Sequence, residues 1–96
     1  IDFSEYSIEI QNGSGTAGQA GVVNEILQAQ DFSEADTTNA DSYDYEDPEV
    51  QMKEGTPKSV YNAIEKALTD DYQVIEGEAL DADSLFDIVV IVGAKR

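Results

Sequence analysis

Histidine, cysteine and tryptophan are missing from this 96-residue chain, and only 5 residues are basic. Without cysteine there is neither a disulfide framework nor thiol chemistry, so the redox compartment is left open. Without histidine or cysteine, nucleophilic catalysis would fall to lysine or carboxylates, and the serines lack a base that titrates near neutral pH. A paired-carboxylate glycosidase is compatible with the composition, yet 96 residues leave little wall for a substrate cleft. The chain therefore reads as a non-enzyme. No apolar run approaches the ~18 residues of a membrane span, and no signal-peptide pattern is present. The opening "IDFSEYS" is abrupt and reads as an excised domain, so that any membrane anchor or targeting signal would lie outside it.

What is abundant is negative charge. Asp and Glu number 21, giving a net charge of −16. Residues 1–48 hold 11 acidic residues and no Lys or Arg, while residues 49–96 hold 10 acidic residues and all 5 basic ones. A surface of this sign repels phosphate backbones and anionic lipid heads, because affinity for either rests on Lys and Arg displacing counterions. Nucleic acid and direct membrane insertion are excluded as partners. The charge serves solubility and keeps copies apart, or it draws in a basic or cation-rich partner. In either case salt relieves self-repulsion, so the melting temperature is expected to rise between low and moderate ionic strength. Thermal unfolding in a salt series checks this, and a flat or falling response contradicts it.

Ninety-six residues make one domain with a two-layer core. Tyr6 to Gln11 alternates as a half-buried strand, with Ile8 and Ile10 on one face. Thr16-Ala17-Gly18-Gln19 matches a capping box, which predicts a helix from there to about Asp31 with Ala20, Val23 and Leu27 on its apolar stripe and Val22 and Ile26 alongside. Phe32 to Ala40 is a weaker strand, Asp41 to Pro48 a loop, and Glu49 to Glu54 a third strand. Thr56 as N-cap with Pro57 in the first turn starts a second helix carrying Val60, Tyr61, Ile64, Ala67 and Leu68 inward. Asp70 and Asp71 close that helix and oppose its dipole, which favours fraying there. Tyr72 to Ile75 forms a short strand. Phe86 to Val92 is a β-branched run suited to an interior strand.

The order β-α-β-β-α-β-β predicts an α/β (α+β) two-layer sandwich, a mixed five-stranded sheet with both helices on one face. "IEIQNGSG" and "VQMKEGTP" begin two similar strand-turn-helix-strand units, a possible internal duplication.

Gly13, Gly15 and Gly18 are spaced G-x-G-x-x-G at a strand-to-helix turn, the pattern of a dinucleotide site, with Asp36 and Asp41 near the offset of a ribose-binding acid. A phosphate there would meet Glu5, Glu9 and the acidic loop with no basic residue in the first half. The alternative needs no ligand. Gly13 and Gly15 make a tight turn, while Gly18 and Gly21 let the helix approach the sheet. "DSYDYEDPE" and "LDADSLFD" gather carboxylates of the kind that hard cations seek, but neither has the spacing of an EF-hand loop. No metal and no cofactor is expected. Tyr43 and Tyr45 either stack on sugar faces beside nearby carboxylates or fold back onto the core.

"IEIQNGSGTAGQAGVVNEILQAQDF", then "NADSYDY", then a strand, a helix and "DIVVIVG" together resemble the LytR C-terminal domain family over Tyr6 to Gly93. The resemblance rests on Asn12-Gly13-Ser14-Gly15 with Ala17 and Gly18, on Asn39-Ala40, and on Tyr43-Asp44-Tyr45. It implies a non-catalytic, extracytoplasmic module tethered in the bacterial cell envelope and working in wall glycopolymer assembly. Other envelope proteins or peptidoglycan and wall glycan would be its partners. The expected binding residues are Asn12, Gly13, Ser14, Gly15, Asn39, Tyr43, Asp44 and Tyr45. A cation-dependent interaction domain and a nucleotide-binding domain stand as the alternatives.

Overall fold

Two parallel β-α-β units flank a central strand. The computed structural model describes residues 3–16, 18–40, 47–69, 72–81 and 83–93. The first unit is β1 (Ile8–Asn12), α1 (Gln19–Gln28) and β2 (Asp36–Asn39). The second is β3 (Glu49–Met52), α2 (Lys58–Leu68) and β4 (Ile75–Glu76), and the chain returns to the middle as β5 (Ile88–Val92). The sheet order is β2-β1-β5-β3-β4. β1 is parallel to both β2 and β5, whereas β3 is antiparallel to β5 and parallel to β4. The two units therefore run in opposite directions on either side of β5. The element order and mixed sheet are those expected from the sequence.

Both helices cover one face. Ala20, Val23 and Leu27 of α1 and Val60, Tyr61, Ile64 and Leu68 of α2 share a core with Ile8, Ile10, Val50, Ile88, Val90 and Val92, and the helices touch each other. A buried α2 residue has its acidity changed as a result. The Tyr61 phenol is pushed above its ordinary value, first by burial and then by the adjacent Glu65 carboxylate. On the opposite face, Val89 and Ile91 are also buried, which accounts for the unbroken apolar run of β5. The register sets Glu9 and Gln51 beside Val89, and Gln11 and Glu49 beside Ile91. Gln11 donates to Glu9 at 2.7 Å and Gln51 to Glu49 at 3.3 Å, so matching polar pairs border this apolar pair from both units.

Several local expectations are corrected. Thr16 does not cap α1. The N-cap is Gly18, in a left-handed conformation with φ 84°, and no side chain caps the helix. Gln19 does not reach back to Thr16, because its Oε1 accepts from the buried Tyr72 hydroxyl at 2.6 Å. A tertiary hydrogen bond has displaced the local one. Likewise α2 starts one residue later than expected, with Pro57 as its N-cap, and the Thr56 N–H closes a turn onto Lys53 O. Tyr72 and Val74, in the short strand expected over Tyr72 to Ile75, are buried, but ladder pairing begins only at Ile75. The first strand begins at Ile8, preceded by a short 3-10 turn at Phe3–Glu5 whose Phe3 ring stacks on Phe32 at 4.7 Å. Asp70 and Asp71 lie outside the described residues.

Candidate functional site

In a parallel β-α-β unit, the strands' carboxyl ends and the following helix's amino end meet at one edge of the sheet, where ligand crevices tend to lie. Here that edge carries an open groove of about 460 Å³ lined by Asn12, Gly18, Ala20, Gly21, Thr37, Thr38 and Asn39. Its size falls within the ~300–1,000 Å³ range of small-molecule sites. Among the described residues, none that lines it is charged.

The two units permit a comparison within the molecule. The equivalent place in the second unit, between the ends of β3 and β4 and the start of α2, holds a smaller hollow of about 190 Å³ bordered by Lys53, Glu54 and Glu76. Two of its bordering residues are held in ion pairs. Lys58 pairs with Glu76 at 3.0 Å and lies 5.2 Å from the centre of the Tyr61 ring, while Lys53 reaches Asp87 at 3.7 Å. Because the units are antiparallel, these ion pairs lie at the end of the sheet opposite the groove.

Asn12 holds the loop that shapes the groove. It is 8% exposed and is the sole buried polar residue among those described. Its Oδ1 accepts from the Ser14 N–H at 3.0 Å and from the Ser14 hydroxyl at 2.7 Å, and its Nδ2 donates to Thr16 O at 2.8 Å. The Gly13 N–H donates to Val92 O at 2.8 Å, and Ala40 N–H donates to Asn12 O at 3.1 Å. Asn12 and Gly13 are thus tied to both neighbouring strands and to the loop itself. Gly15 follows with φ 78°.

Of the residues expected to bind, Asn12 and Asn39 line the groove, while Gly13, Ser14 and Gly15 form the loop at its end. Tyr43, Asp44 and Tyr45 lie outside the described residues. The groove is also lined by Gly18, Ala20, Gly21, Thr37 and Thr38, which the sequence reading did not name as binding residues. That reading also assigned Gly18 and Gly21 to close helix-to-sheet approach, and this is corrected: a Cβ built on either meets nothing within 4 Å. Gly18 is explained by its positive φ. Gly21 has no such backbone demand and faces the groove. A glycine inside the first helical turns, off the apolar stripe, was the available signal.

Among the described residues, no group of three or more Asp or Glu residues is arranged to hold a metal ion, and no helix is long and apolar enough to cross a membrane. Asp87, one of the carboxylates singled out for cations, instead accepts from the Ser7 N–H at 3.1 Å and pairs with Lys53. Asp41, Asp44 and Glu46 lie outside the described residues.

A family model described as LytR cell envelope-related transcriptional attenuator matches residues 5–95. No curated protein matches the chain. Two solved structures are similar in fold. One is the soluble domain of a conserved hypothetical secreted protein from Mycobacterium marinum, an Rv2700 ortholog, with TM-score 0.63 and 17% identity; the match covers 99% of this chain and 66% of that one. The other is the C-terminal domain of Rv0431, with TM-score 0.60 and 22% identity, covering 92% of this chain and 71% of that one.

Proposed function

Because the chain belongs to the LytR C-terminal family, whose model matches it over residues 5–95, we propose that it is a non-catalytic accessory module on the outer side of the bacterial cytoplasmic membrane. In this reading it holds wall glycan in the groove between β2 and the first turn of α1. The secreted relative of similar fold supports the location, and the family supports the setting in the cell envelope.

One observation carries the choice of site: the described walls of the groove are uncharged and the helical one is kept bare by Gly21. The Thr37 hydroxyl, on the helix-covered face beside Ile10, both donates and accepts, as does the Asn39 amide beside Asn12, which suits a ligand rich in hydroxyls and amides. A phosphate or pyrophosphate would find no cationic partner on these walls. Asn12 contributes by holding the loop, since its side-chain donor and acceptor are already engaged within the protein.

Titration with solubilised peptidoglycan fragments, followed by amide chemical shifts, tests the reading. Shifts are expected at Asn12, Gly18 to Gly21 and Thr37 to Asn39. Parallel titrations with NAD and with calcium address the two alternatives. Micromolar NAD moving Gly13 to Gly18, or fragments leaving the groove unmoved at millimolar concentration, would overturn it.

Gly21 gives a second test in which stability and binding move in opposite directions. Glycine in a helix interior costs about 0.5–1 kcal/mol relative to alanine, and a methyl group at this position has open space. Gly21→Ala is therefore expected to stabilise the fold by about that amount in urea unfolding, while Gly21→Leu fills the groove and lowers fragment affinity at least tenfold. A destabilised Gly21→Ala contradicts the open space, and an unaffected Gly21→Leu removes the groove as the site.

A further inference from the structure

The two outer edges of the sheet differ. β4 is a two-residue strand whose Glu76 is engaged by Lys58. β2 is a four-residue strand, Asp36–Asn39, with every residue exposed. Its inner side is occupied by β1, and the Ala40 N–H donates inward to Asn12 O at 3.1 Å. Backbone groups alternate sides along a strand. Asp36 and Thr38 therefore direct their N–H and C=O toward β1, as Ala40 does, while Thr37 and Asn39 direct theirs outward. Among the described residues nothing bonds these outward groups.

Natural edges of this kind are blunted by lysine, proline or a bulge, or are kept short. β2 has no proline and no lysine, and its only charged residue is Asp36. The nearby exposed side chains are acidic as well, Asp31 and Glu34, and no Lys or Arg occurs before Lys53. Edge-to-edge pairing of two copies is opposed by a net charge of −16 on each. A strand of opposite charge has no such barrier and gains from the field.

We propose that the β2 edge receives an extended, basic segment of a partner protein as a sixth strand. Thr37 and Asn39 supply the main-chain hydrogen bonds, and the acidic residues around β2 select a lysine- or arginine-rich sequence. This is β-strand addition, in which the backbone provides affinity and flanking side chains provide selectivity. It uses the outward main-chain groups of Thr37 and Asn39, residues that also line the groove, and it does not require that the groove be filled.

A blocked ten-residue peptide alternating lysine with threonine is the probe, with the whole chain as target. Binding is expected to slow hydrogen exchange at the Thr37 and Asn39 amides by at least tenfold and to weaken as salt is added. Thr37→Pro removes one outward N–H at a position where an edge strand tolerates proline. It should cut affinity at least tenfold with the melting temperature nearly unchanged. Should that variant unfold, the same comparison comes from a peptide of equal charge with proline replacing every threonine, which cannot pair as a strand and should bind the parent chain at least tenfold more weakly. No binding of the lysine-threonine peptide at millimolar concentration overturns the proposal. Equal binding of the proline-interrupted peptide also overturns it, because attraction would then be electrostatic alone.

Discussion

Asn12→Ala is expected to lower the unfolding free energy by about 2–3 kcal/mol and to abolish fragment binding in the groove. Three hydrogen bonds end on this one side chain, two from Ser14 and one to Thr16 O. Each contributes roughly 0.5–1.5 kcal/mol net, with the larger losses where a partner stays shielded from water. Ser14 is partly buried and Thr16 exposed, so water recovers some of the loss at Thr16 and less at Ser14. The remaining loss falls on the loop. Without the amide, the Thr16 N–H still donates to the Ser14 hydroxyl at 3.1 Å, but that turn loses its side-chain ties to the end of β1, and the groove loses its fixed end. Asn12→Asp separates these contributions, since it keeps an acceptor for Ser14 but sets an oxygen against Thr16 O and adds a buried negative charge. Urea unfolding of both variants, with amide shifts of Thr37 to Asn39 as the groove readout, measures the effect. If both variants stay within about 0.5 kcal/mol of the parent, the range of ordinary surface substitutions, Asn12 is not the anchor.

Periodicity carried most of the fold because the core is built from regular repeats. Ala20, Val23 and Leu27 of α1, Val60, Tyr61, Ile64 and Leu68 of α2 and Ile88 to Val92 of β5 are buried where helical spacing or the apolar run put them, while Ala67 and Ile26 are half-buried and Val22, expected alongside the α1 stripe, is exposed. Errors arose where a tertiary contact overruled a local pattern. Gln19 has the capping-box spacing from Thr16, but the Tyr72 hydroxyl, 53 residues along the chain, takes its side chain. Tyr72 and Val74 alternate like a strand and are buried like one, yet a strand is defined by its neighbour, and β3 meets the chain only from Ile75. The groove was harder to see. Its walls, Gly18 to Gly21 and Thr37 to Asn39, are brought together by the β-α-β crossover. Small residues in a sequence mark either close approach or open space, and only the packed neighbour tells which. At Gly21 it is open space, and the notion of a helix pressed against the sheet fails there.

At Gly93 the opposite holds, and Gly93→Ala is expected to destabilise the fold by about 2–3 kcal/mol. The sequence marks this glycine as the end of β5, but its reason for being there is contact. A Cβ at this position would stand 2.7 Å from the carbonyl carbon of Asp47 and 3.0 Å from its N and O. Backbone cannot swing aside as a side chain does. Asp47 leads into the buried Pro48, whose carbonyl accepts from the Ile75 N–H at 2.9 Å, and then into Glu49, which pairs with Ile91 of β5. Relieving the overlap therefore means moving β3 against β5 and carrying β4 with it, across the middle of the core. For a domain of this length the loss corresponds to a fall of roughly 10–20 °C in melting temperature. Gly77 is the internal control: its added Cβ would come even closer to an atom, 2.5 Å from Glu49 Cγ, but that atom belongs to a side chain that can rotate. Gly77→Ala is expected to cost under about 1 kcal/mol. Calorimetry on the two variants decides the matter, because equal losses would mean that distance alone, and not attachment to the main chain, sets the cost of crowding in this sheet.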